Sequence, residues 1–191
     1  MPTPILHAAA GVAVLRAAFR ECLPWRAVLI AAAVSAAPDL DILPGFLLGD
    51  PMRFHHGLTH SALFAVGLAA LASRVEWGLN SVARRQRFWC LAIVALSHVC
   101  FDLLNREIPS AHAGVASLPL AWPLPWRLAP LVEVFDAPPV PPDPGLWLNG
   151  LVLRVALREL TLGLGLVGVA YLIPSRQSPP QTAPARVEAE S

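Results

Sequence analysis

The 191-residue sequence contains no lysine, and charged residues of both signs make up only 14% of it. An ordinary water-soluble domain carries roughly 25% charged residues. Hydrophobic residues account for 55% of this chain, and its mean hydropathy is +0.56. The formal net charge is +1, and no run of basic residues is present, so nothing indicates a nucleic-acid partner. The composition excludes a typical soluble domain and indicates a protein embedded in a lipid bilayer.

Cysteine is also scarce. The three cysteines, Cys22, Cys90 and Cys100, are odd in number and follow no Cys-x-x-Cys spacing. Neither a disulfide framework nor a cysteine zinc site is therefore indicated, and we expect the three side chains to serve packing. Because the N-terminus lacks a basic segment before its first apolar run, we expect that run to be retained rather than cleaved as a signal peptide.

Five apolar stretches are present, and each is bounded by polar or proline-containing segments. They cover about 5–20, 27–48, 58–73, 88–104 and 146–173. A membrane-spanning helix needs roughly 17–25 residues, so the first and third stretches are short and would have to tilt or insert only partly. The pattern predicts an all-α, polytopic transmembrane bundle with about five spans.

Two further segments differ from these stretches. Residues 105–145 are rich in proline and tryptophan, so they cannot form a continuous helix, and their tryptophans suit the membrane interface. Residues 174–191 are rich in Pro, Ser, Gln and Ala, which predicts a disordered tail. We therefore expect one membrane-embedded domain over residues 1–173, with 105–145 as an external loop.

The arginines predict the orientation of this domain. They flank the first and third connections and recur in the tail, as Arg16, Arg20, Arg26, Arg74, Arg84, Arg85, Arg87, Arg176 and Arg186. By the positive-inside rule these segments are cytoplasmic. The N-terminus, the 49–57 loop and the 105–145 segment then lie outside, and the C-terminus lies in the cytoplasm.

Histidines and aspartates occur at the outer end of four of the predicted spans. They are His7, Asp39, Asp41, His55, His56, His60, His98 and Asp102. A charged side chain at membrane depth costs several kcal/mol, and these residue types are the ligands of zinc and manganese. A single membrane histidine is more often a hydrogen-bonded packing residue, but a shared depth on four spans favours a metal site.

Local spacing supports this interpretation. His98 and Asp102 are four residues apart, so a helix places them on one face, and His56 and His60 have the same spacing. Asp39 and Asp41 would diverge by about 200° on an unbroken helix, so we expect Pro38 to loosen that turn. The alternative for Pro38-Asp39-Leu40-Asp41 is a helix cap at the edge of a loop.

The order of these motifs resembles that of a known family. His7, Pro-Asp-Leu-Asp at 38–41, His-x-Gly-x-Thr-His-Ser at 55–61 and Ser-His-x-x-x-Asp at 97–102 are similar to the YdjM-like, LexA-regulated inner-membrane proteins, which are described as metal-dependent hydrolases. In the family pattern an arginine follows the first histidine, and His56 occupies that position here. The resemblance therefore ranks His55 above His56 as a ligand. Thr59 and Ser61 could orient the ligands through their hydroxyl groups.

The order His, Asp, His and His-x-x-x-Asp is also similar to part of the ligand order of zinc-dependent phospholipases C. The later His-x-x-x-Glu pair is missing, so this second resemblance implies a site with one or two zinc ions, with manganese as the alternative metal. Asp39 or Asp41 would be the general base. Arg154 and Arg158, one helical turn apart, could bind phosphate oxygens, or instead pair with Glu159.

The sequence thus predicts a multi-pass inner-membrane, metal-dependent hydrolase, a phosphoesterase whose lipid or amphiphilic substrate arrives through the bilayer. Two alternatives stay open. One is a non-catalytic protein in which the metal only joins helices, and the other is a metal transporter. The oligomeric state has no signal in the sequence.

Overall fold

The computed structural model describes residues 3–20, 22–50, 53–78, 82–104, 117–129 and 150–174. Most of these residues are helical and none lies in a named strand, which confirms the predicted all-α class. The helices are α1 (Pro4–Phe19), α2 (Trp25–Ala36), α3 (Ile42–Leu47), α4 (Ala62–Ala72), α5 (Arg84–Leu103) and α6 (Gly150–Leu172). Two short 3-10 helices, Ala37–Asp41 and Leu58–His60, precede α3 and α4.

Within the described ranges, three helical stretches are long and apolar enough to cross a membrane. They are Trp25–Leu47, which includes α2, the first 3-10 helix and α3, and then Arg84–Leu103 and Val152–Leu172. Helices α1 and α4 are apolar but shorter, as the sequence indicated. The third apolar stretch starts its α-helix at Ala62 rather than at 58, because the preceding residues form a turn and a 3-10 helix.

The proline- and tryptophan-rich segment is described only over residues 117–129. There it forms turns closed by an isolated antiparallel bridge between Leu118 and Leu128. The Ala62 amide at the start of α4 donates to the Leu120 carbonyl at 3.0 Å, which fixes this segment beside α4. The predicted disordered tail lies, from residue 175 onward, outside the described residues.

The apolar core lies between α1, α2, α4 and α5 and consists largely of alanine, valine and leucine. Fully buried members include Leu15 of α1, Ala27 and Ala31 of α2, Ala69 of α4 and Leu91 of α5. Small side chains let helices approach closely, which is how helices associate where the surrounding lipid is as apolar as the core. Trp77, also fully buried, closes the end of the core at which α1 ends.

Gly11 sets the closest approach of α1 to α2. A Cβ atom at this position would lie 2.5 Å from the Ser35 Cβ and 2.8 Å from the Ala31 carbonyl oxygen. Gly11 lies one helical turn after His7, and Ser35 lies just before the 3-10 helix that carries Asp39. The contact of α1 with α2 therefore determines how the polar residues at this end of the bundle meet.

Replacing Gly11 with alanine should force α1 and α2 apart. Overpacking of this kind costs about 1–3 kcal/mol, so we expect a clearly lower melting temperature of the detergent-purified protein. Gly165→Ala in α6 is the matched control, since its Cβ atom would meet no atom within 4 Å. Equal melting temperatures for the two variants would contradict the close packing of α1 on α2.

Candidate metal centre

The eight histidines and aspartates that the sequence singled out meet at one end of the bundle. His7 is at the end of the first turn of α1, and His98 and Asp102 are in the last turns of α5. The remaining members, Asp39, Asp41, His55, His56 and His60, come from the segments around the two 3-10 helices. All eight side chains are buried, with residue exposures of 9% or less.

The two aspartates of Pro-Asp-Leu-Asp lie on either side of one imidazole. The chain changes from α-helix to 3-10 helix at Ala37–Asp41, with Pro38 in the first turn. Asp39 Oδ1 lies 3.7 Å from His60 Nε2, and Asp41 Oδ2 lies 3.2 Å from His60 Nδ1. The loosened turn expected at Pro38 is thus present, and it lets both carboxylates point inward.

The histidine-rich segment folds as a turn, so the prediction that His56 and His60 share a helix face is wrong. His56 has a φ of 56°, in the left-handed region that disfavours residues with a Cβ atom. At Gly57 a Cβ atom would lie 2.8 Å from the Phe54 carbonyl oxygen. The turn nevertheless gathers three imidazoles: the ring centroids of His55 and His56 lie 4.9–5.0 Å from that of His60.

The backbone of α2 orients His98. Its Nδ1 atom lies 2.7 Å from the Ser35 carbonyl oxygen. A carbonyl oxygen can only accept a hydrogen bond, so Nδ1 carries the proton and Nε2 of the neutral ring presents a lone pair. That lone pair faces Asp102 Oδ2 at 3.1 Å and Asp39 Oδ1 at 3.4 Å. Metal-binding histidines are usually held in this way by a hydrogen bond to their other nitrogen.

His60 directs its Nε2 toward His98 Nε2 and the same two carboxylates. Its Nδ1 lies 3.1 Å from Thr59 Oγ1 and 3.2 Å from Asp41 Oδ2, and since Thr59 donates its own proton to Asp41, both oxygens can accept from Nδ1. Nε2 of the neutral ring then lies 3.1 Å from His98 Nε2 and 3.6 Å from Asp102 Oδ2. If both rings were protonated, two N–H groups would point at each other across that 3.1 Å. One proton between the rings would satisfy only that pair and leave the carboxylates unpaired.

A divalent cation can be bound by members of this set. The ligand atoms of His60, His98 and Asp102 lie 3.1–3.6 Å from one another, and Asp39 Oδ1 lies 3.4 Å from His98 Nε2 and 3.7 Å from His60 Nε2. These distances bracket the separation of about 3.3–3.4 Å expected between ligands of a tetrahedral ion with bonds of about 2.0–2.1 Å. In the part of the chain that the structure describes, no hydrogen bond reaches the oxygens of either carboxylate. Buried carboxylates without donors normally pair with a metal or another charge. The donor set therefore fits a metal ion.

His7 extends the cluster on the side of α1. Its ring stacks on His98 with centroids 3.7 Å apart, and its Nε2 lies 3.3 Å from Asp102 Oδ1. The ligand atoms of His7, Asp39 and His98 all lie within 4.8 Å of one another. Asp102 thus presents one oxygen to His7 and the other to His60 and His98, an arrangement in which one carboxylate can serve two ions.

Asp41 has a different environment from Asp39 and Asp102. Its Oδ1 accepts from His55 Nδ1 at 2.7 Å, and its Oδ2 accepts from Thr59 Oγ1 at 2.6 Å and faces His60 Nδ1. Both oxygens therefore face histidines, an arrangement typical of a carboxylate that orients them, while the ligand and base roles that the sequence predicted for Asp41 stay predictions. A carboxylate behind a histidine fixes the ring and makes its other nitrogen a stronger ligand.

The hydroxyl groups of the motif have separate functions. Thr59 supports Asp41, whereas Ser61 Oγ accepts from the Phe64 amide at 3.1 Å and caps the N-terminus of α4. The Ser35 carbonyl that orients His98 was missed by the sequence reasoning, because a backbone acceptor leaves no mark in the side-chain pattern.

The two arginines predicted to bind substrate lie on α6. Arg154 is exposed, and its Nε donates to the Gly150 carbonyl at 3.1 Å, while Arg158 is half-buried. Glu159, the alternative partner, accepts from the Thr3 amide at 2.6 Å and so joins α6 to the start of α1, one turn before His7. This places the first turns of α6 at the His/Asp end of the bundle. Substrate binding by Arg154 and Arg158 stays a prediction.

Comparisons with known proteins indicate that this chain is a membrane protein. A family model described as YdjM inner membrane protein matches residues 1–175, which include all eight histidines and aspartates. No curated protein and no solved structure matched the chain. The match covers far more than half of the sequence, and three helices are long and apolar enough to span a bilayer. The chain therefore belongs to the YdjM inner membrane protein family.

Proposed function

We propose that this protein is a membrane-bound, metal-dependent hydrolase of phosphoesters and that its His/Asp cluster binds one or two zinc ions, with manganese as the alternative. The observation that supports this most strongly is the convergence of His60, His98 and Asp102, whose ligand atoms lie 3.1–3.6 Å apart, with Asp39 Oδ1 3.4 Å from His98 Nε2. The donor atoms are nitrogen and oxygen, the set found in catalytic zinc sites.

The chemistry that such an ion supplies is Lewis acidity, which stabilises charge on a phosphoryl group and makes water a better nucleophile. The protein's own residues accept the proton and orient the ligands. Asp39 turns Oδ1 toward His60 and His98. Its second oxygen would accept the proton of the attacking water and would return it to the leaving alkoxide as the phosphorus–oxygen bond breaks. Asp41 and the Ser35 carbonyl hold the two imidazoles in their binding orientation.

Exposed apolar side chains beside the cluster support a lipid or amphiphilic substrate. Leu40, between the two aspartates, is 59% exposed, and Leu43 and Leu58 are also exposed. In a bilayer these side chains contact acyl chains, so a substrate can approach the site laterally with its polar group at the depth of the aspartates. Arg154 and Arg158 are the proposed contacts for its phosphate oxygens.

One observation favours a second candidate, a metal that only joins helices. All eight side chains are buried, and the four central ligands connect α5 with the two 3-10 helices, as a closed structural site would. A transporter has less support, because the core beyond the cluster is apolar, with Leu15, Leu91 and Val94 fully buried there.

The proposed orientation has the N-terminus and the His/Asp cluster outside the cytoplasm and the C-terminus inside. Reporter fusions after Arg87 and after Ser191 should both report the cytoplasm, and a fusion after Asp136 should report the exterior, because arginines are retained on the cytoplasmic side. A cytoplasmic signal after Asp136 would reverse the orientation and change the pool of available substrates.

Asparagine substitutions separate the roles of Asp39 and Asp41. Asp39→Asn removes a ligand and should abolish stoichiometric metal binding and hydrolysis. Asp41→Asn removes only the group behind His55 and His60 and should weaken metal affinity by about 10–100-fold, with activity partly restored at high metal concentration. Glu76→Gln, an exposed carboxylate remote from the cluster, is the matched control. Metal content measured against free metal concentration, with a phosphoester panel, tests both expectations.

The same preparation decides between the two candidates. If the parent protein hydrolyses at least one phosphoester and Asp39→Asn, still folded in detergent, does not, the metal acts in turnover. If the parent cleaves nothing across the panel while removal of its metal sharply lowers the melting temperature, the metal joins helices and the hydrolase proposal is wrong.

A further inference from the structure

A cleft of about 300 Å³ lies between α4 and α5 at the end of the bundle opposite the His/Asp cluster. It is lined by Ala70, Ser73, Arg84, Arg85 and Phe88. Along α5, Arg84 is fourteen residues from His98, which corresponds to about 21 Å at a rise of 1.5 Å per residue. The cleft is therefore separate from the candidate metal centre, and nothing proposed for that centre explains it.

The two arginines occupy an electrostatically unfavourable place. Arg84 and Arg85 begin α5, whose first turn contains no acidic residue and whose N-cap, Ala83, provides no side-chain hydrogen bond. The N-terminus of a helix is its positive end, so two cations there repel the helix dipole. Among the ion pairs between described residues, none includes either arginine. A bound anion would reverse this repulsion and accept hydrogen bonds from the guanidinium groups.

Apart from Ser73, whose hydroxyl donates to the Ala70 carbonyl, the rest of the cleft is apolar, and it lies at the depth of a membrane interface. Ala70 and the Phe88 ring form its apolar walls. Trp89, one turn after Arg85, is 56% exposed, and Trp25 at the same end of the bundle is also exposed. Exposed tryptophans of membrane proteins concentrate at the level of lipid head groups. A ligand there would meet cations on one side and apolar side chains on the other.

We propose that this cleft binds an anionic phospholipid of the adjacent leaflet. Its phosphate lies between Arg84 and Arg85, and its glycerol and upper acyl carbons contact Ala70 and Phe88. Basic pockets between helices at this depth recognise anionic head groups, and about 300 Å³ accommodates a head group rather than a whole lipid. The ligand is charged, because a zwitterionic lipid would leave the two arginines only partly neutralised.

The test uses the full-length protein in detergent and compares binding of phosphatidylglycerol with that of phosphatidylcholine by native mass spectrometry. We expect the parent to prefer phosphatidylglycerol by about tenfold or more, since each of the two arginines near an anionic group contributes about fivefold in affinity. The double variant Arg84→Gln, Arg85→Gln should lose this preference. Arg74→Gln, an exposed arginine that does not line the cleft, should keep it.

A second variant distinguishes binding in a defined cleft from general attraction of anionic lipids to a basic surface. Ala70→Phe fills the cleft without changing charge, and we expect it to lose the preference as well. Retained preference in Ala70→Phe, or an equal loss in Arg74→Gln, would overturn the proposal in favour of diffuse attraction. If inorganic phosphate displaces phosphatidylglycerol at equal concentration, the cleft binds free phosphate and the lipid assignment is wrong.

Discussion

The structure depends on one electrostatic constraint: the carboxylates of Asp39 and Asp102 are buried in an apolar bundle, and no hydrogen bond from another described residue reaches their oxygens. Taking a carboxylate out of water costs several kcal/mol even after the protein relaxes. The neighbouring nitrogen atoms are the Nε2 atoms of His7, His60 and His98. The Ser35 carbonyl accepts from Nδ1 of His98, so the neutral ring directs its Nε2 lone pair at the carboxylates, and a cation bound between these groups relieves the cost.

Much of the surrounding fold maintains this arrangement. Gly11 lets α1 approach α2 closely enough to place His7 against His98, and the same contact fixes Ser35. The 3-10 helix at Ala37–Asp41 gives each aspartate its own side of His60. Helix packing and ligand geometry are thus coupled, so a change that separates α1 from α2 should also disturb the site.

The helical class, the approximate helix positions and the residues of the cluster could be predicted from the sequence. Apolar stretches and rare buried polar residues are both visible in one chain. The different environments of Asp39 and Asp41 could not be predicted, because they depend on which side of His60 each carboxylate reaches. The turn at His56 and Gly57 broke the assumed helical spacing, and the Ser35 carbonyl belongs to the backbone. These features arise from tertiary packing rather than from local sequence.

X-ray absorption spectroscopy of the zinc-loaded protein tests the central claim most directly. The account requires a first shell of about four nitrogen and oxygen atoms at about 2.0–2.1 Å, with imidazole scattering that falls when His98 is replaced by glutamine. Sulfur ligands at about 2.3 Å, a shell without imidazole, or a spectrum unchanged in His98→Gln would contradict it.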